Sequence, residues 1–73
     1  MSLQKIGQHL RERRQSLRVK QETLAELAGI SVNTLYKIER GQGNPTLQTL
    51  CQIAEVLGLE LKLTVKKMPQ QEP

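Results

Sequence analysis

Gly29 divides the twenty-residue stretch QETLAELAGISVNTLYKIER, residues 21–40, into two segments that each read as a short helix. Upstream, Leu24, Ala25, Leu27 and Ala28 mark the inward side of a helix from about Gln21 to Ala28, which Gly29 stops. Downstream, Ser31 is a good N-cap for a helix reaching Arg40. Neither piece is long enough to persist in water by itself. They must therefore pack on each other across a tight turn. Ala25 is small where the two approach, and Leu24, Ala28, Ile30, Leu35 and Ile38 supply the apolar contacts between them and to the remaining core. Any fold of this chain has to be built around that corner.

The flanking segments supply more helix. Ser2 caps a first helix running to about Leu17, with Leu3, Ile6, Leu10, Arg14 and Leu17 along one face. Gly41 fits a helix C-cap, and Gln42-Gly43-Asn44-Pro45 is a loop by composition. Thr46 caps a fourth helix to Leu57, whose inward set is read as Leu47, Leu50, Cys51, Ala54 and Leu57. On that stripe Cys51 is a small buried hydrophobe. After Gly58 the period changes. Leu59, Leu61, Leu63 and Val65 alternate with Glu60, Lys62, Thr64 and Lys66, which predicts a strand with one apolar face. The chain thus divides into a helical unit over 1–58, a strand over 59–66 and a polar, Pro-containing tail over 67–73, expected to be disordered.

Composition agrees with a small helical domain. Leu, Ile and Val contribute 20 of 73 residues, above what disordered chains carry, and Tyr36 is the lone aromatic, so the core is aliphatic. Cys51 is the single cysteine, which excludes an internal disulfide and a Cys-rich metal site. His9 lies off the apolar stripe and has no companions at metal-ligand spacing. No nucleophile–base pair, paired carboxylates or Gly-rich phosphate loop is present, so the chain reads as no enzyme, without metal or cofactor. No apolar run approaches a membrane span or a signal-peptide core, which leaves the cytoplasm as the expected compartment. Eleven Lys and Arg against seven Asp and Glu give a net charge of +4 and a pI near 9.7. Residues 1–20 alone carry +5, which points to a polyanionic partner.

Two short helices about a tight turn are the helix-turn-helix pattern. With IGQHLRERRQSL before it and NPTLQTLCQIAEVLGL after it, the array over about residues 5–58 resembles the Cro/CI-type (XRE-type) helix-turn-helix regulators. The resemblance implies a mainly α, lambda-repressor-like four-helix bundle, here followed by a strand in place of the usual last helix. On a helical wheel with Leu35 at 0°, Ile38 falls at about 300°, and Asn33, Tyr36, Lys37 and Arg40 fall on the opposite side. The third helix is then the reading helix. Asn33 suits a bidentate bond to adenine, Lys37 a bond to guanine, Val32 a thymine methyl, and Tyr36 a base or phosphate.

The resemblance also implies phosphate contacts from Lys20, Gln21, Thr34, Arg40, Gly43, Asn44 and Thr46. Gln21 matches the family's phosphate-contacting glutamine, while Lys20 stands where the family commonly has a Ser or Thr cap. Lysine cannot cap and its charge opposes the helix dipole, costs that a phosphate at the helix N-terminus would offset. Arg11 and Arg18 add to the basic footprint. Matching positions also give Arg14 and Glu39 a structural role as an ion pair between helices.

An amphipathic strand with no partner in its own chain is unstable. Pairing with the same strand of a second copy about a two-fold axis through Leu61 or Leu63 satisfies it, whereas an axis at Lys62 opposes like charges. The resulting homodimer would read a palindromic operator. A helix-turn-helix followed by such a strand resembles the HipB-like antitoxins. That implies an autoregulatory, nucleoid-associated bacterial repressor whose further partner is a HipA-like kinase toxin. The alternatives are a stand-alone phage-type or controller-type regulator, and a protein-binding adaptor that does not read DNA.

Overall fold

Ser2, Ser31 and Thr46 each turn a side-chain oxygen back onto a free backbone N–H three residues ahead, and each starts a helix: Lys5, Thr34 and Thr49 are the donors. The computed structural model describes residues 2–66, and the expectation of a disordered tail over 67–73 lies outside them. Four helices follow in order: α1 Leu3–Ser16, α2 Gln21–Ala28, α3 Val32–Glu39 and α4 Leu47–Val56. α1 packs on α3, and α2 packs on both α3 and α4.

Gly29 closes α2 with φ +73°, a left-handed conformation that costs glycine little, and so turns the chain into α3. At Gly7 the requirement is closeness instead. A Cβ there would run into the carbonyl oxygen of Ile38, so α1 lies directly against the end of α3. The end of α1 takes the same left-handed turn without a glycine. Arg18 has φ +58°, while the Val19 N–H reaches back to the Arg14 carbonyl at 3.1 Å.

The core is aliphatic. Leu24, Leu35 and Ile53 are wholly buried, and Leu10, Ala25, Ala28, Ile38, Leu50, Ala54 and Leu57 are nearly so. Four residues expected on inward faces are exposed instead, and the first, Leu17 at the C-cap of α1, stands at 43%. Leu27 is 64% exposed, Leu47 is 69% exposed, and Cys51 is exposed. α4 turns Leu50, Ile53, Ala54 and Leu57 inward, and Cys51 stands roughly 110° from the centre of that stripe. Leu47 sits in the first turn of α4, where no residue is buried. On α2 the buried side is Leu24, Ala25 and Ala28, which leaves Leu27 roughly 100° away.

Residues 59–66 correct the strand expectation. After Gly58 the chain continues with no regular secondary structure, and no strand occurs among the described residues. A ladder needs a second edge, and the rest of the chain is committed to helices. Leu59 and Leu61 rest partly on the bundle, at 36% and 37% exposed, while Leu63 and Val65 stand clear of it at 89% and 91%.

Candidate nucleic-acid interface

α3 is anchored from beneath. Leu35 and Ile38 enter the core, and Glu39 is buried at its last turn. A buried carboxylate requires compensation. Arg14 supplies it with two parallel bonds, Nε to Oε2 at 2.7 Å and Nη2 to Oε1 at 3.0 Å. The third Arg14 nitrogen, Nη1, donates to the Val19 carbonyl at 2.9 Å, and Gln21 Nε2 donates to Glu39 Oε1 at 2.9 Å. This network ties α1, the α1–α2 connection, the start of α2 and the end of α3 into one unit. It also uses one of the two N–H donors of the Gln21 amide. The second amide N–H and the backbone N–H at the first position of α2 are left for other acceptors.

The opposite face of α3 is open. Val32 and Tyr36 are 43% and 45% exposed, and Asn33 and Lys37 are exposed beside them. Arg40 caps the helix and stacks on Tyr36, its guanidinium carbon 5.2 Å from the ring centroid. The stack holds both side chains on one edge of the face. Thr34 is engaged locally, sharing a 2.8 Å hydroxyl bond with Ser31.

Two recesses border this face. One, of about 260 Å³, is lined by Arg11, Arg14, Gln21, Tyr36, Glu39 and Arg40. With Arg14 and Glu39 paired on each other, Arg11 and Arg40 give it positive edges. The other, of about 160 Å³, brings Thr34 and Lys37 beside Gly43, Asn44 and Pro45 of the loop. Lys20 and Thr46 line neither recess. Lys20 is exposed at the N-cap of α2 and makes no side-chain cap bond, while Thr46 caps α4.

Sequence reasoning missed Arg13. Its Nε donates to the carbonyl of Leu57 at 2.9 Å, so α1 closes the C-terminus of α4, whose own last turn has no basic residue. Nothing in the run Arg11, Arg13, Arg14 distinguishes the member that turns inward to a carbonyl.

The arrangement is a convex helix edge bearing amide, ammonium, phenol and guanidinium groups, backed by a rigid ion pair and flanked by cations. The helix-turn-helix family HTH_3 matches residues 10–63, a span that includes both α2 and α3. The chain belongs to the helix-turn-helix family. This helix-turn-helix chain is 32% identical over 68 residues to an uncharacterised transcriptional regulator from the ATPase CF(0) region of Rhodospirillum rubrum, covering 93% of this chain and 63% of that protein. It is 37% identical over 60 residues to the immunity repressor protein of Bacillus phage phi105, covering 82% of this chain and 42% of the repressor. The chain therefore spans less than two thirds of these relatives. Among solved structures, the restriction-modification controller protein C.AhdI from Aeromonas hydrophila superposes with a TM-score of 0.75 at 41% identity, covering 80% of this chain and 88% of C.AhdI. The clp gene regulator ClgR from Corynebacterium glutamicum gives 0.76 at 28% identity, covering 80% and 62%. The four-helix helix-turn-helix fold is thus shared with both. Among the described residues, no helix is long and apolar enough to cross a membrane.

Proposed function

We propose that this helix-turn-helix chain is a sequence-specific, double-stranded-DNA-binding transcriptional regulator that works as a homodimer on a palindromic operator. The observation that carries the reading is the exposed outer face of α3, where Asn33, Lys37, Tyr36 and Val32 stand together on a helix locked from behind by the Arg14–Glu39 pair. An adaptor that did not read DNA would have no need for polar readers of this kind on a helix tied from behind by a buried ion pair. In the proposed complex α3 lies in the major groove. Asn33 and Lys37 read base edges, and Val32 and Tyr36 contribute a thymine contact and an edge contact. Lys20, the start of α2 at Gln21, Thr34, Arg40, Gly43, Asn44 and Thr46 hold the flanking phosphates.

The stand-alone regulator is the reading the relatives favour. A restriction-modification controller and a phage immunity repressor are among them, and C.AhdI is matched over most of its length. The HipB-like antitoxin reading, with its HipA-like kinase partner, rests on residues 59–66, which form no strand within the chain. It is the lesser alternative.

The test is selection of DNA from a random pool, followed by titration of the winning duplex over a salt series. The proposal expects a recurring palindromic sequence and an affinity that falls steeply with salt, with a log–log slope of roughly −0.9 per phosphate contacted. Asn33→Ala and Lys37→Ala should each cost about 1–3 kcal/mol on that site and little on random DNA. A pool that never converges, with equal weak binding to every duplex, would sink the reading.

A further inference from the structure

We propose that the recess between the N-terminal half of α1 and the segment leaving α4 binds a free aliphatic monocarboxylate of about ten carbons, its chain inside and its carboxylate at the lysines of the rim. The site stands apart from the DNA reading above, because the recess shares no residue with the two that border α3.

The fold builds the walls. Gly58, at φ +70°, turns the chain at the end of α4, and the Leu59 N–H returns to the Ala54 carbonyl at 2.8 Å. That turn sets Leu59 and Leu61 across from α1, where they enclose about 370 Å³ together with Ile6, Leu10 and Ala54. Leu10 and Ala54 are core residues, each 2% exposed, and Ile6 packs against the core. Leu59 and Leu61 are little more than one third exposed. Water in a space walled by five apolar side chains finds few hydrogen-bond partners, and moving an alkyl chain into it is favourable. The volume lies at the small end of ligand pockets, which run from about 300 to 1,000 Å³. At roughly 30 Å³ for each water-sized group it takes about a dozen heavy atoms, the size of a ten-carbon fatty acid.

The rim selects the head group. Lys5 and His9 stand one turn apart on the same side of α1, and Lys62 lines the same recess from the C-terminal segment. Glu60 is the single acidic lining residue. All four are exposed, and among the described residues the one ion pair is Arg14–Glu39, so neither lysine is held by a carboxylate. Two lysines against one glutamate leave the rim one positive charge, which a monoanion balances. A dianion would overshoot that charge, and a cationic amphiphile would be repelled by it. His9 adds a ring N–H donor. With its carboxylate at the exposed rim, the ligand keeps the hydration of its charge and gives up water only along the chain.

The test is a titration of the full chain with decanoate, followed by amide and methyl NMR. Saturable one-to-one shifts are expected at Ile6, Leu10, Ala54, Leu59 and Leu61, and none at Leu27, Leu47 or Cys51, which are exposed elsewhere. Octanoate, two buried methylenes shorter, should bind roughly tenfold more weakly. Decyltrimethylammonium, with the same chain and the opposite charge, should also bind about tenfold more weakly than decanoate. Lys5→Glu combined with Lys62→Glu should reverse that preference. Both lysines are exposed, so an unchanged unfolding midpoint is expected and shows that the variant is folded. Leu61→Ser removes one wall and should weaken decanoate several-fold without disturbing the core. Equal shifts at Leu27 and Leu47 would make the binding non-specific and overturn the site. Equal affinity for the two amphiphiles, or unchanged decanoate binding in the double lysine variant, would overturn the role of the rim and the ligand class with it. Recess signals that move with protein concentration alone and resist decanoate would show that a second copy fills the space, and would overturn the proposal.

Discussion

Truncating Arg14 strands a carboxylate. Glu39 has a side chain only 1% exposed, and without the guanidinium it keeps a single partner, Gln21 Nε2. Removing one member of a buried pair costs about 3–5 kcal/mol, a large share of the total stability of a domain this size. Arg14→Ala should therefore unfold at a much lower denaturant midpoint than the parent. Arg14→Met combined with Glu39→Leu should be less destabilised than either single substitution, because no charge is left buried. Equal midpoints for Arg14→Ala and the parent would show that the pair does not hold α1 to α3. Gly7 sets a separate constraint. Gly7→Ala gains helix propensity but drives a methyl into the Ile38 carbonyl. The clash should win, giving a net loss of about 1–3 kcal/mol in chemical denaturation.

At Lys20 the cap that α2 would favour and the phosphate contact proposed above pull in opposite directions. It occupies the N-cap of α2 with φ −75° and ψ 153° and no side-chain bond, where serine would accept from a backbone N–H. Lys20→Ser should stabilise the protein by about 1 kcal/mol in thermal unfolding and at the same time weaken DNA binding and flatten its salt slope by about one. Stabilisation with unchanged DNA affinity would remove Lys20 from the proposed phosphate set. The helices were legible because caps and breakers punctuate them. Ser2, Ser31, Thr46 and Gly29 each act at the position their chemistry suggests. The inward face of α4 was less legible. LQTLCQIAEV carries two overlapping apolar stripes, one through Leu47 and Cys51 and one through Leu50, Ile53 and Ala54, and the packing against α2 decides between them. The alternation at 59–66 is plain in the sequence, but whether it becomes a ladder depends on a second edge that one chain does not hold. In the candidate site, the outward set on α3 followed from its 3.6-residue period. The commitment of Arg13 to Leu57 and of the Gln21 amide to Glu39 depended on three-dimensional proximity that no spacing rule encodes.

Across the whole molecule, the bundle and the segment after Gly58 contribute unequally to the core. The bundle holds its own core, while Leu63 and Val65 contribute nothing to it. Deleting residues 59–73 should therefore leave a folded, helical protein with a cooperative unfolding transition. By sedimentation it should be a monomer, and its affinity for a palindrome should fall towards that of a single half-site. A truncated chain that still sediments as a dimer would place the interface elsewhere on the surface.

α1 is joined by side-chain bonds to both ends of this design. Arg14 fastens it to the last turn of α3, and Arg13, one residue earlier, fastens it to the carbonyl of Leu57, where the C-terminal segment departs. Both bonds leave α1 from adjacent residues near its C-terminal end, so the last turn of α3 and the point of departure are tied through one step of helix rather than through a loop. In the proposed dimer, that tie would help to hold each α3 at a set distance from the symmetry axis. On that reading, the choice of bases would belong to the outer face of α3 and the spacing of two half-sites to whatever surface joins the copies, so either could change without the other while Arg13 and Arg14 stay in place.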